Sequence, residues 1–488
     1  MQFTSNWLKG IFSVDRRSLG LFRIFIGFFV ALDSLNKFFQ AREFYSDWGV
    51  MPRAYWIEHY MVPFKFSMHL GMGDTWFQQL LIFAQLLAAL AFMVGWKTRR
   101  ANAILLFFLC SMQSRNNLIL SASDEVMRLM LIWSLFAPVG DRFSLSPLPK
   151  EPNNTVSAGA AAMLLQLVSI YLFTGFLKLH PVWTEQFSAV YFALNIDIFA
   201  TPLAIWFRQF YLLTQILTAT TLAWEFLGPI LAIFSTGWLR LACSVLFMMF
   251  HFSLIFFLEL GMFPYMMITT WLIFWPPVFW ESKAGANLEA RLEGLFRFLA
   301  NKLRLPSAPR RRASSTRLRL ASQVFVMALF TLVTLNNVSS LKTRYFKMPA
   351  ALASVVHLLY VDQEWNMFAP YPIKNDGWFV IEGNFRNGKK WDLWNGGAIS
   401  YEKPALVSAA FHSSEWRKFM LQVWDDGDRR ILLPFGRYLC RKFSAAEGQS
   451  SDVSTLKIQF VKETTPEPGT AFGSPEIITL WSHDCFAP

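Results

Sequence analysis

The sequence predicts an all-α polytopic membrane bundle of about nine transmembrane helices, followed by a small extracytoplasmic α+β domain. Three observations predict it. The 488 residues are 54% hydrophobic, with 50 Phe and 20 Trp, and only 16% are charged. That leaves too little polar surface for a water-soluble fold and too much apolar residue for disorder. Apolar stretches of about 20 residues, the length that crosses a bilayer, recur as far as position 337. The net charge of +12 is also concentrated, because residues 281–319 carry ten Lys or Arg against three Glu. A basic segment between apolar stretches is what cytoplasmic loops show. With no interleaved aromatics and no nucleic-acid motif, nucleic-acid binding is set aside.

Candidate spans lie near 19–39, 77–96, 101–121, 124–139, 158–178, 208–235, 238–260, 263–280 and 319–337. Polar residues over Ser114–Asp124 interrupt the third and fourth. Counting nine spans puts Arg16/Arg17, Lys97-Thr98-Arg99-Arg100, Arg142/Lys150 and 281–319 on one side. The positive-inside rule makes that side cytoplasmic, with the N-terminus inside and the C-terminus outside. The first apolar run ends near Phe39 without a small-residue cleavage site, so it is expected to remain as an anchor. The predicted units are a bundle over 1–280, a basic cytoplasmic loop over 281–318, a last span over 319–337 and an outer α+β domain over 338–488.

The same count places 40–76 and 179–207 outside. The first carries Tyr45, Trp48, Trp56, His59, Tyr60 and His69. The second is too polar to span and too apolar to stand free in water. Both are expected to cap the outer mouth of the bundle as interfacial segments. Inside, Leu288, Leu292, Leu295, Phe296 and Leu299 follow helical spacing. They predict an amphipathic helix on the anionic inner leaflet, or else a basic tether that only fixes topology.

Beyond 338 the pattern changes. GWFVIEGNFRNGKKWDLW (377–394) reads as a hairpin turning at Asn387-Gly388, a strong two-residue turn signal. WRKFMLQVW and PFGRYLCRKF read as short helices, and TLKIQFVKE and EIITLW as further strands. Cys110 and Cys243 fall in apolar runs. Cys440 and Cys485 lie in the tail, where they either pair in an oxidising space or stay buried and reduced.

An ionisable residue in lipid is costly and needs a reason. Arg23 and Asp33 sit ten positions apart on the first span, about 15 Å along a helix, so each needs a partner elsewhere. Asp124 and Arg128 are spaced to pair with each other. Glu225 precedes Gly228-Pro229, where a carboxylate can satisfy backbone groups freed at a kink. Tyr171, Thr174 and Lys178 share one helix face. That stripe must meet the bundle interior or a wet cavity. Desolvation there makes the Lys178 amine a usable base, whereas a lysine at the helix end can instead snorkel to the interface. His251 sits midway along the seventh span, either hydrogen-bonded in the core or contacting a ligand. With one His per span there is no metal-ligand spacing. No phosphate loop, nucleophile elbow or redox Cys pair is present.

SLGLFRIFIGFF (18–29), FTGFLKLHPVW (173–183) and FHFSLIFFLELGMFPYMM (250–267) resemble the membrane domain of vitamin K-dependent γ-carboxylase. Its bacterial relatives are known as horizontally transferred transmembrane domain proteins. The resemblance covers roughly 15–280, and WNMFAPYP…DGW (365–378) is similar to the tail of those relatives. It implies a multi-pass protein of a bacterial inner membrane. It also implies a reaction in which a base deprotonates vitamin K hydroquinone or a related naphthoquinol and O2 adds. An alkoxide of the nascent epoxide then removes a γ-proton from a Glu of a protein substrate on the outer face, and the carbanion captures CO2. GFLKLHPVW places Lys178 on the base, with Leu177 and His180 where the carboxylases carry Lys and Asp. The seventh-span His falls on His251. Asn116-Asn117 is similar to an Asn-Asn-His segment, with Leu118 at the His position. The implied catalytic pair is therefore Lys178 and His251, with Asn116, Asn117, Tyr171 and Thr174 as candidate quinone contacts. The alternative is a non-catalytic membrane protein whose bundle binds lipid or quinone and whose outer domain recruits a partner.

Overall fold

Boundary residues set where the helices start and stop. The computed structural model describes residues 10–146, 152–304, 316–341, 346–444 and 452–486. Lys150 and the Arg310–Arg312 triplet of the expected basic loop lie outside the described residues. Asp15 caps the first long helix, α1 (Arg16–Phe39), by accepting from the Arg17 N–H, which satisfies one of the donors a helix start leaves open. There follow α2 (Thr75–Met93), α3 (Thr98–Arg115), α4 (Ala122–Ser134), α5 (Ala158–Leu177), α6 (Tyr211–Phe234), α7 (Gly237–Phe257), α8 (Phe263–Trp271), α9 (Lys283–Lys302) and α10 (Thr316–Ser340). Among the described residues six helices, α1, α2, α5, α6, α7 and α10, are long and apolar enough to cross a membrane. They mark the chain as a multi-pass membrane protein.

The other three expected spans are helical but different in kind. α3 carries Arg99, Arg100 and Arg115. α4 has 13 residues, about 20 Å of rise, and α8 has nine. Almost every side chain of α4 and α8 is buried, because α8 packs on α1, α4 and α7 while α4 packs between α3 and α5. A short helix wrapped by longer ones need not match the bilayer thickness. α1 and α2 approach closely at Gly27, where a Cβ would stand 2.8 Å from the Met93 Cα. Small residues allow that approach between membrane helices.

The polar groups gather at two opposite ends. At one end Arg17 pairs with Asp15 at 2.7 Å and with Glu289 of α9 at 2.9 Å, and Arg16 pairs with Asp141. α9 is helical as expected and buries Phe296 and half-buries Leu288, Leu292 and Leu299, but Leu295 of the expected apolar face is exposed. At the other end the 40–76 and 179–207 segments form short helical turns on which the tail rests. Glu415 accepts from Asn36 and Gln40 at 3.0 and 3.1 Å, Trp416 donates to Glu43 at 2.8 Å, and Arg417 donates to the Glu259 carbonyl.

The tail is the α+β unit the sequence predicts. It comprises α11 (Ala350–Leu358), β1 (Asn375–Phe385), β2 (Lys390–Asp392), α12 (Ser414–Asp426), α13 (Arg429–Ser444), β3 (Val453–Thr464) and β4 (Glu476–Asp484). The sheet is antiparallel in the order β2-β1-β3-β4. Gly388 (φ +83°) takes the left-handed position of the β1–β2 turn, a conformation glycine adopts without strain. α13 covers β3 and β4, and Cys440 on α13 is disulfide-bonded to Cys485 after β4.

Asp376 of β1 accepts from the Ile198 N–H at 3.1 Å and so ties the sheet to the 179–207 segment. Burial, aided by the nearby Asp197, pushes its carboxyl up to about 7. The folded state therefore favours the protonated form. This stabilisation is complete below the ordinary value of 3.8 and is lost as pH rises through about 7. Thermal unfolding at pH 5 and pH 8 should show the tail less stable at pH 8, and Asp376→Asn should shrink that difference. An unchanged difference would exclude Asp376 as its source.

The buried charges of the first and fourth expected spans are satisfied differently from the sequence expectation. Arg23 donates to the carbonyls of Met93, Val139, Arg142 and Phe143, helix-end and loop acceptors rather than a carboxylate. Asp33 pairs with Lys37 one turn along its own helix, and Lys37 bridges to Asp124 at 2.8 Å. Asp124 therefore does not take Arg128. It sits in the first turn of α4, where it also closes a capping box with Ser121, while Arg128 donates to Gln113 and to the Tyr360 and Asp362 carbonyls.

Candidate functional site

α5 delivers the expected stripe. Its last turn ends at Lys178, whose N–H still donates to the Thr174 carbonyl at 3.1 Å. The chain then turns at His180-Pro181 into the Pro181–Thr184 helix. Proline fits a first helical position and cannot continue α5. This geometry sends the Lys178 side chain inward rather than along the bundle surface. Its Nζ lies 2.6 Å from Glu225 Oε1 on α6 and 4.6 Å from the centre of the Trp183 ring. Lys178 is 4% exposed and Glu225 5%, so neither charge has water to lean on.

This corrects the two sequence-based assignments for these residues. Lys178 is neither a lone desolvated amine nor a snorkelling one, and Glu225 does not spend its side chain on the backbone near Pro229. A buried carboxylate and a buried ammonium each carry a large desolvation cost. Pairing them is the arrangement that offsets both costs. Glu225 Oε2 is buried and has no hydrogen-bond partner among the described residues. Two unmatched intramembrane charges of opposite sign were the available signal, but sequence spacing does not tell which helices face each other.

His251 on α7 faces the same space. Trp271 Nε1 donates to Tyr171 Oη at 2.8 Å, and Tyr171 Oη lies 2.6 Å from His251 Nε2. With its oxygen occupied by Trp271, the tyrosine's own proton is satisfied by donating to His251 Nε2. That leaves the imidazole hydrogen on Nδ1. His251 Nδ1 is buried without a partner among the described residues. Phe247 stacks on Trp271 with ring centres 4.1 Å apart and backs the relay. Tyr171→Phe should cost about 1–3 kcal/mol, because the Trp271 N–H and the His251 Nε2 lose their partner while buried. An unfolding measurement equal to wild type would show that this relay holds nothing in place.

Tyr171, Lys178, Glu225 and His251 line one cavity of about 170 Å³, with walls from α5, α6, α7 and α8 and from the 179–207 segment, Trp183 included. Tyr171 and Thr174 are part of it, as expected. Thr221 and Ser253 add hydroxyls to a lining that is otherwise apolar, and the tail contributes Met367 and Phe368 to it. Trp183 and the tail residues were not anticipated as part of this lining. Asn116 and Asn117 are elsewhere. Asn116 donates to the Phe44 carbonyl at 3.0 Å and accepts from the Leu118 N–H, pinning the turn between α3 and α4 to the 40–76 segment. Asn117 is exposed on that turn and lines a separate cavity of about 570 Å³. An apolar cavity near 150 Å³ takes up benzene, so the Lys178 cavity is of ring size. Lys178, Glu225 and His251 are the ionisable residues of its lining.

No family model, no curated protein and no solved structure matches this chain.

Proposed function

We propose that the chain is a membrane oxidoreductase of the vitamin K-dependent γ-carboxylase type, acting on a reduced naphthoquinone inside the bundle. The observation that carries the reading is the convergence of the Lys178–Glu225 pair and His251 on one ring-sized, largely apolar cavity. A reduced naphthoquinone supplies a ring hydroxyl that must lose its proton before O2 oxidises the ring. Glu225 Oε2 is the acceptor for that proton, and Lys178 offsets the negative charge that develops. His251 Nδ1 orients the ring through its hydrogen bond. The largely apolar walls lower the local polarity, which strengthens each of these interactions. Carboxylation of a Glu on a protein substrate, with CO2, belongs to the same proposal.

The topology we assign is nine crossings with the N-terminus cytoplasmic and the tail outside the bacterial inner membrane. Basic residues Arg16, Arg17 and Arg142 collect at the α9 end, in keeping with the positive-inside rule. Exposed Trp96 and Trp238 lie at that end of α2 and α7, and exposed Trp76 at the opposite end of α2, as interfacial belts require. The tail disulfide fits an oxidising compartment.

The second reading, a bundle that binds lipid or quinone without chemistry, is favoured by the commitment of Lys178 to Glu225. The binding test addresses both readings. Titrating menadione into the protein in nanodiscs should quench tryptophan fluorescence saturably, since Trp183 borders the cavity. Ala193→Trp, which fills the cavity, should abolish the saturable part. Linear quenching in both proteins would overturn the assignment of the cavity to a quinone.

A further inference from the structure

Three cavities meet beneath the tail. The apolar chamber of about 170 Å³ holds Lys178 and His251. A polar chamber of about 570 Å³ lies against Glu125, Arg128 and Lys418. A small charged one of about 60 Å³ is bordered by Asp33, Lys37 and Asp124. Ile170 and Thr174 line both the apolar and the polar chamber, so the two share a wall. Among the described residues one borders all three cavities, Met367.

Met367 stands at the tip of a strap between α11 and β1 that is fastened on both sides. Before the tip, Arg128 Nη2 donates to the Asp362 carbonyl at 2.6 Å. Gln363 accepts from Gln166 of α5 at 2.8 Å and from Asn336 of α10 at 2.9 Å, and the Glu364 N–H donates to Glu125 at 3.1 Å. After the tip, Trp183 Nε1 donates to the Phe368 carbonyl at 3.2 Å. The backbone is thus held while the side chain at the junction is unbranched, with three rotatable bonds and no polar commitment. Such a side chain changes shape at little cost.

We propose that Met367 is the gate between the polar chamber and the apolar chamber that holds Lys178, so that the tail decides what reaches the buried ion pair. Closed, Met367 keeps the apolar chamber dry. Swung aside, it opens a passage along Ile170 and Thr174 for a hydrophilic molecule to meet whatever occupies that chamber. The gate does not depend on which reaction, if any, the chamber performs.

Thiol accessibility in the full chain tests it. Cys110→Ala and Cys243→Ala remove the free thiols and leave the Cys440–Cys485 bond. Ala193→Cys then reports on the apolar chamber and Asn117→Cys on the polar one. The probe is an anionic methanethiosulfonate, which does not cross lipid. Asn117→Cys should react with either residue at 367. Ala193→Cys should react slowly with Met367 or Met367→Leu, and on the order of tenfold faster with Met367→Ala, as expected when a minor open state becomes the main one. Size-exclusion profiles and an intact disulfide establish that each variant is folded. Equal rates for Ala193→Cys with Met367 and with Met367→Ala, whether fast or slow, would overturn the gate. So would protection of Asn117→Cys, since the polar chamber would then not admit the probe.

Discussion

Lys178→Met, with Glu225 left in place, should destabilise the bundle by about 3–5 kcal/mol, the loss seen when one partner of a buried ion pair is removed. The cost comes from the carboxylate left behind. Glu225 is 5% exposed and keeps no other hydrogen-bond partner for either oxygen among the described residues, so it must hold an uncompensated charge or take up a proton. Glu225→Leu alone should cost a similar amount, because the ammonium is then stranded beside Trp183. The double variant Lys178→Met, Glu225→Leu should return stability to wild type or above, since an apolar pair of similar volume removes both desolvation costs. Thermal unfolding of the four proteins in one detergent gives the coupling directly. Additive losses would show that the two residues are not a pair.

Opening the Cys440–Cys485 bond should be the second large effect. The cysteines are 45 positions apart, and closing a loop of that size stabilises by about 4 kcal/mol in the chain-entropy model. The bond has a clear structural task. β4 is an edge strand, paired only with β3 among the described strands, and the disulfide fastens the segment after β4 to α13. Replacing both cysteines by serine should make β4 the first element to exchange its amide hydrogens, with β1 and β3 protected for longer. If β4 exchanges at the wild-type rate, the sheet itself is sufficient and the bond adds nothing.

Much of the architecture was readable because one physical quantity dominated each feature. Apolar length located α5, α6 and α7 to within three residues, and the Asn387-Gly388 turn signal located the β1–β2 hairpin. The shared face of Tyr171, Thr174 and Lys178 was legible because helical spacing is fixed. Facing relations were not. Glu225 and His251 come from other helices, and spacing along one helix says nothing about which neighbour it meets. Length did not reveal that α4 and α8 are short and buried among the other helices, since apolar residues that face protein on all sides look the same in sequence as those that face lipid. The contribution of Met367 and Phe368 was hidden for a different reason. A strap between two domains has no periodicity to read.

We propose Lys178, Glu225 and His251 as a proton-handling site for a lipid-soluble quinol. Its most direct test is O2-dependent epoxide formation from vitamin K hydroquinone by the purified protein in nanodiscs, compared with the Lys178→Met, Glu225→Leu variant, whose fold the first experiment establishes. Epoxide is expected from the wild-type protein and none above background from the double variant. No epoxide from the wild type, or equal amounts from both proteins, would contradict it.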